Sequence, residues 1–387
     1  MNKTTYRFET ATIHGGQQPD KAYGAVMPPI YQTSTYAQTA PGKNLGYGYS
    51  RGANPTRTAL ENSLKSLEQG SHAFAYASGM AAVDAVVKLL QPGDQVICTQ
   101  DIYGGSFRLF KGIFEQYGLV FKFIDLGNAN DLSKHLNTDT KMVWLESPTN
   151  PMLQLVDIAA IAAQLKGTDI LLAVDNTFAS PYLQQPLNLG ADIVMHSATK
   201  YLGGHSDVIA GALVVKDEAL AERLKFITNS TGAICGPMDS FLVVRGIKTL
   251  ALRMQRHCEN TAKIAMFLKN HPKIENVFWP GFPEHPNHEI AKKQMRDFGG
   301  MLAFKLKDSD QNATIACIQR LNLFTLAESL GGVESLIGHP ATMSHGSMPK
   351  NEQLKNGITP NLVRLSVGIE AVEDLIDDLK SALNEND

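Results

Sequence analysis

Asp192-Ile193-Val194-Met195-His196-Ser197-Ala198-Thr199-Lys200-Tyr201-Leu202-Gly203-Gly204-His205 is a short apolar run that closes on two hydroxyl residues and a lysine. The run predicts a strand over 193–196, with Lys200 just past its end. Lysine is almost never fully buried unless it is paired or working. An amine in that place can bond an aldehyde, and the hydroxyls of Ser197 and Thr199 can hold an anion beside it.

Similar β-rich runs lie on either side, at 73–76, 95–99, 120–124, 142–146, 170–174 and 210–215. Helical patterns alternate with them, at 57–69, 79–90, 107–117 and 158–165. That alternation implies an α/β fold with a mainly parallel central sheet covered by helices on both faces. Ligands on such sheets bind beyond the carboxyl ends of the strands. Tyr103, Asn150, Asp175 and Lys200 each follow or close a different strand there. A long helical stretch runs from Pro237 to about Asn270, and strands at 276–279, 301–305 and 362–366 and a last helix over 372–383 follow it. The expected organisation is an N-terminal arm over 1–55, a large domain over 56–250 and a smaller C-terminal α/β domain over 251–387. The arm is rich in Gly, Pro, Thr and Tyr, reads as extended chain, and is expected to contact a neighbouring subunit.

The 387 residues, 43% hydrophobic and 19% charged, have ordinary globular composition. A formal net charge of -3 without a basic block argues against nucleic acid or an anionic membrane as partner. The start lacks an apolar signal core, and no run approaches a membrane span. Cys98, Cys235, Cys258 and Cys317 are far apart and form no CxxC, as expected of reduced thiols in a cytoplasmic protein. No G-x-G-x-x-G, Walker A, H-E-x-x-H or G-x-S-x-G sequence occurs. No metal is expected.

Asp175 closes the apolar run Leu171-Leu172-Ala173-Val174. Such a carboxylate is a helix cap, a metal ligand or the partner of a ring nitrogen, and no metal-spaced cluster accompanies it. Ala77-Ser78-Gly79-Met80 opens a helix after a strand, where free N–H groups and the helix dipole favour an anion. Tyr49 and Arg51 occupy alternate positions of the arm and so point the same way. Arg51 either pairs with a phosphate or lies on the surface. Tyr103, at a strand-to-helix turn, can stack on a flat ring or sit at a rim. Arg364, inside an apolar strand, suits an amino-acid carboxylate or an interdomain salt bridge. A lysine, a ring-nitrogen acid and a phosphate cradle together meet the needs of pyridoxal 5'-phosphate.

Nearly end to end, the chain resembles the pyridoxal-phosphate-dependent trans-sulfuration enzymes of cysteine and methionine metabolism. That family includes cystathionine γ-lyases, γ-synthases and β-lyases and methionine γ-lyases. The resemblance is carried by Tyr49-Ser50-Arg51, Asn54-Pro55-Thr56, Ala77-Ser78-Gly79-Met80, Tyr103-Gly104-Gly105, Pro148-Thr149-Asn150-Pro151, Val174-Asp175-Asn176-Thr177, Ser197-Ala198-Thr199-Lys200, Glu328-Ser329-Leu330-Gly331-Gly332 and Arg364-Leu365-Ser366-Val367-Gly368. It implies the aspartate-aminotransferase-like fold, fold type I, and a homotetramer built as a dimer of dimers. It also implies Lys200 as the Schiff-base lysine, Asp175 on the pyridine nitrogen and Tyr103 stacked on the ring. Gly79, Met80, Ser197 and Thr199 would bind the phosphate, joined by Tyr49 and Arg51 of a neighbouring subunit. Arg364, Ser329 and Asn150 would hold the substrate α-carboxylate, Lys200 would move protons, and Tyr49 or Tyr103 would protonate the leaving sulfur. Glu328 matches the glutamate of γ-lyases and γ-synthases, and Gly105 departs from the cysteine of methionine γ-lyases. The expected reaction is cleavage of cystathionine at the γ-carbon, with cystathionine synthesis from a homoserine ester and cysteine as the alternative. A catalytically silent scaffold would be free to lose Lys200, Asp175, Tyr103 or Arg364, and none is lost.

Overall fold

The computed structural model describes residues 6–346 and 348–384. Residues 1–5 and 385–387, the outer ends of the expected arm and C-terminal domain, lie outside the described residues. The arm is not extended throughout, which corrects the sequence expectation. Helix α1 (Phe8–His14) forms within it, and β1 (Gln38–Ala40) pairs antiparallel with β2 (Lys43–Asn44). So short a helix is marginal alone, and packing sustains it. Ala11 and Thr12 are buried, and Phe8 meets Tyr182 edge-on at 5.5 Å.

The remaining helices are α2 (Pro55–Leu67), α3 (Gly79–Val87), α4 (Gly104–Gly112), α5 (Ile158–Leu165), α6 (Ser180–Leu183), α7 (Glu218–Thr231), α8 (Pro237–Ile247), α9 (Leu250–Lys269), α10 (His288–Gln294), α11 (Gln311–Gln319), α12 (Lys350–Lys355) and α13 (Val372–Asn384). The expected single stretch from Pro237 to Asn270 is therefore two helices. They part where buried Arg253 donates to the carbonyl oxygens of Gly246 and Tyr201, both at 2.7 Å. That guanidinium satisfies the end of α8 and fixes the turn.

β3 (His72–Tyr76), β4 (Gln95–Thr99), β5 (Val120–Ile124), β6 (Thr140–Glu146), β7 (Leu171–Asp175), β8 (Ile193–Ser197) and β9 (Gly211–Val215) form a sheet ordered β3-β9-β8-β7-β6-β4-β5. All its pairings are parallel except those of β9, which runs against both β3 and β8. Apolar runs such as Met142-Val143-Trp144-Leu145 are buried on both faces, as a helix-covered parallel sheet requires. On one face Trp144 and Phe110 pack with α3, α4 and α7. On the other, Val143, Leu145 and Val174 meet Ile158, Ile161 and Leu165 of α5. Phe110 lies 4.7 Å from Phe121 in a stack and 5.7 Å from Trp144 edge-on. A second sheet joins β10 (Ile274–Phe278), β11 (Met301–Leu306), β12 (Thr325–Leu326), β13 (Leu336–Gly338) and β14 (Leu362–Ser366) in the order β10-β11-β14-β13-β12. Its apolar face shares one core with α2, α8, α9 and α13.

Asn54 ties the arm to this body. Its Oδ1 accepts from the N–H groups of Thr56 and Arg57, capping α2 before Pro55. Its Nδ2 donates to Tyr31 O at 2.8 Å and Tyr36 Oη at 3.0 Å. Asn54→Ala is expected to lower unfolding free energy by about 1–2 kcal/mol, the range of a lost cap. A urea midpoint checks this; one equal to the parent's would show that the arm and α2 hold without the cap.

Candidate active site

Parallel strands bring their last residues to one rim, and the chemistry-bearing side chains collect there. A cavity of about 920 Å³ opens between that rim and the second sheet. Gly79, Met80, Tyr103, Asn150, Asp175, Ser197, Thr199, Lys200, Glu328, Ser329 and Arg364 all line it. Tyr49 and Arg51 do not. Both are exposed, with the Arg51 guanidinium 5.8 Å from the Tyr49 ring and donating to Asn229 O of its own chain.

Lys200 Nζ donates to Ser329 Oγ at 2.7 Å. Burial and then the nearby Arg364 charge, opposed by Glu328, bring its amine down to about 8. Ser329 has φ of 108°, a strained value for a residue with a side chain. The turn carries its hydroxyl to Lys200 and its carbonyl to Arg364, which donates to Ser329 O and to Asn150 Oδ1, both at 2.9 Å. Arg364 is buried, which lowers it to about 10 and leaves it cationic at neutral pH. Gly331 permits the close approach of this segment: a Cβ there would lie 2.8 Å from the Tyr201 nitrogen.

Asp175 is buried at the end of β7. Burial raises its carboxyl, while donation from the Thr177 hydroxyl (2.5 Å) and N–H (3.0 Å), and the His196 charge, lower it. The start of α3 abuts Ser197, since a Cβ on Gly79 would lie 2.8 Å from the Ser197 Cβ. Ser78 caps the helix through Ala81 N–H, leaving the earlier N–H groups of Gly79 and Met80 at the cavity. Thr199 is more engaged than its sequence suggests: its Oγ1 accepts from Ala210 N–H at 3.0 Å and donates to Ala210 O at 3.2 Å. Tyr103 stands just before α4, and its ring covers Gly105, where a Cβ would fall 2.3 Å from Tyr103 Cε1.

These residues fit a phosphate-bearing pyridine aldehyde. A half-buried amine, a buried carboxyl, an aromatic face and a helix start with small residues surround one space. Sequence reasoning missed Glu146 and Thr177, which also line it. Each stands at or just after the end of an apolar strand, the same signal that marked Asp175. Arg108 lines the cavity as well. Among the described residues no His, Cys, Asp and Glu group could hold a metal ion, and no helix is long and apolar enough to cross a membrane.

The profile of the Cys/Met metabolism PLP-dependent enzymes matches residues 9–384. The chain is 55% identical over 384 residues to cystathionine beta-lyase of Coxiella burnetii, covering 99% of each. It is 49% identical over 375 residues to cystathionine gamma-lyase of Bacillus subtilis, covering 97% of this chain and 98% of that one. The crystal structure of cystathionine gamma-lyase from Lactobacillus plantarum complexed with L-serine matches with a TM-score of 0.95 at 47% identity, covering 97% and 98% of the two chains.

The amine of Lys200 should titrate far below an ordinary lysine. Only the neutral amine is nucleophilic, so acylation of Lys200 in cofactor-free protein is expected to rise with pH up to about 8 and then level. Exposed lysines keep rising to about 10.4. Peptide mass spectrometry after brief labelling across pH reads both, and a Lys200 profile matching the exposed lysines would refute the assignment.

Proposed function

Because the chain belongs to the Cys/Met metabolism PLP-dependent enzyme family, we propose that it cleaves cystathionine on the γ-carbon side of sulfur. Water is taken up, and cysteine, 2-oxobutyrate and ammonia are released. The observation that carries this reading is a pair of opposite charges in one cavity. Arg364 is bonded to Ser329 beside Lys200, and Glu328 stands one residue earlier on the same wall. Arg364, with Asn150 and Ser329, suits an α-carboxylate. Glu328 suits the ammonium at the other end of a two-headed amino acid, and resembles the glutamate of γ-lyases and γ-synthases. Cleavage on the β side, to homocysteine, pyruvate and ammonia, is a second reading, favoured by the name of the Coxiella burnetii relative.

Pyridoxal phosphate supplies an aldehyde for amines and an electron sink for the pair left by a departing proton. Asp175 is assigned to its pyridine nitrogen, Tyr103 to its ring, and Gly79, Met80, Ser197 and Thr199 to its phosphate. Lys200, with its amine near 8, takes the substrate α-proton and then serves the adjacent β-carbon. The γ carbon–sulfur bond breaks with its electron pair on sulfur, and the hydroxyl of Tyr49 or Tyr103 returns a proton there. Arg364 keeps the α-carbon within reach of Lys200 through their shared contact, Ser329.

Tyr49 and Arg51 are assigned to the phosphate side of a neighbouring copy's cavity. Support comes from their exposure and from the apolar arm around them, where Tyr23 is 95%, Val26 84% and Leu45 85% exposed. The assembly would be a cytoplasmic homotetramer made of two such dimers.

Three experiments test the reading. Cystathionine alone, and an acylated homoserine with cysteine, are offered to the holoenzyme and the products read by mass spectrometry. Cysteine with 2-oxobutyrate is expected; homocysteine with pyruvate, or faster cystathionine formation in the second reaction, would overturn it. With cystathionine, Glu328→Ala should raise KM about fivefold with kcat little changed, the scale of one exposed ion pair. The third experiment mixes inactive Lys200→Ala with impaired Arg51→Ala after mild dissociation. Activity should rise above that of either parent, because a mixed dimer holds one intact site. No rise would place both residues in service of a single chain.

A further inference from the structure

Strand β6 ends in Glu146, a buried carboxyl in the cavity wall to which the sequence reading gave no role. In the parallel register it stands beside Asp175 on β7. Its own N–H donates to Thr99 Oγ1 at 2.9 Å, which fixes the strand end against β4. Its Oε2 accepts from the backbone N–H of Tyr103 at 2.7 Å. That N–H belongs to the residue just before α4, whose own side chain caps none of the helix N–H groups. A second tie runs between the same two turns, from the Thr149 hydroxyl to Asp101 Oδ2 at 2.8 Å. Gly105 leaves space under the Tyr103 ring, and Gly104 lies against the loop after β13, where a Cβ would sit 2.8 Å from Ser344 O. The tyrosine is therefore seated from beneath by glycine and held by its backbone from β6.

We propose that Glu146 is a positioning residue of the reaction: its carboxyl anchors the Tyr103 backbone, and so sets where the phenol ring faces the cofactor space. The inference rests on the assignment of that space to pyridoxal phosphate above Asp175. The surroundings of Glu146 favour the uncharged acid. Burial and then the Asp175 charge push its carboxyl well up, Asp101 adds to this, and the Tyr103 and Asn150 N–H groups only partly oppose it. A neutral acid keeps a carbonyl oxygen for the N–H while adding no second negative charge beside Asp175. Glu146 touches neither substrate nor reacting atoms in this role; it acts through Tyr103.

The test is the series E146Q, E146A and E146D in the full chain, with three readouts. These are the pyridoxal phosphate dissociation constant of the apo form, kcat and KM of the holoenzyme, and the apo melting midpoint. The amide of E146Q offers the same oxygen without charge, so cofactor affinity and kcat/KM should stay within about threefold of the parent. E146A leaves the N–H unpaired and E146D falls one methylene short. Each should weaken cofactor binding and lower kcat/KM by about tenfold, the cost of a lost buried hydrogen bond. The melting midpoint should move by only a few degrees. The near-ultraviolet dichroism of the bound cofactor should change in E146A and E146D and be restored in E146Q. A fall in E146Q as large as in E146D would overturn the proposal, because charge and not hydrogen-bond acceptance would then be needed. So would parent-like cofactor binding in E146D. Should E146A not accumulate as folded protein, the other two variants carry the test. Lys200→Ala serves as the control on the underlying assignment. If its cofactor absorbance equals the parent's, the placement of the cofactor fails, and the proposal with it. A failure confined to the Glu146 series leaves that placement standing.

Discussion

A buried guanidinium holds the two halves of the site together. Arg364 projects from the middle of the second sheet, yet it donates to Asn150 beyond the end of β6 and to the carbonyl of strained Ser329. A charge withdrawn from water destabilises the fold unless hydrogen bonds replace its hydration. These two acceptors use only part of the five-donor fork, which is planar and pre-organised for a carboxylate. The rest of the geometry follows from that anchor. Ser329 turns to meet Arg364, and the same turn delivers its hydroxyl to Lys200. The cation adds to burial in lowering the lysine to about 8.

Buried acids collect at the opposite strand ends, with Glu146 and Asp175 in the cavity wall. Asp101, Glu146 and Asp175 lie buried at the ends of neighbouring parallel strands or just past them, with Asp101 brought up to about 7 by burial. Three carboxyls so placed cannot all ionise cheaply. The hydrogen bonds sort them. Asp175 receives two donors from Thr177 and feels the His196 charge, whereas Glu146 and Asp101 brace the turns that carry Tyr103 and Asn150. Polar groups that would weaken an ordinary core thus fix the positions of Tyr103, Asn150 and Asp175 at once.

The shared frame also explains why lyases that cut on either side of sulfur sit at similar distances from this chain. The strand-end acid, the lysine and the helix start line one cavity that suits the cofactor whichever bond is cut. On the proposed reading, the choice of bond falls to side chains on the other wall, Glu328 among them.

The amino-acid sequence by itself determined where most strands end and which residues stand at those ends. Apolar runs at Gln95–Thr99, Val120–Ile124 and Leu362–Ser366 are bounded by turn-forming or polar residues, so their limits coincide with the strands of the structure. The positions of Asp175 and Lys200 followed from the same local signal. The tertiary structure decided what periodicity does not encode. β9 runs antiparallel because the chain returns from β8 without a crossover helix, and connection geometry sets direction. Helix α1 exists because distant residues cover it, and α8 parts from α9 because Arg253 reaches across from the next turn. The pairing of Glu146 with the Tyr103 backbone, and of Ser329 with both Lys200 and Arg364, joins residues 43, 129 and 35 positions apart. Such contacts depend on which strand ends become neighbours, and only the assembled sheet fixes that.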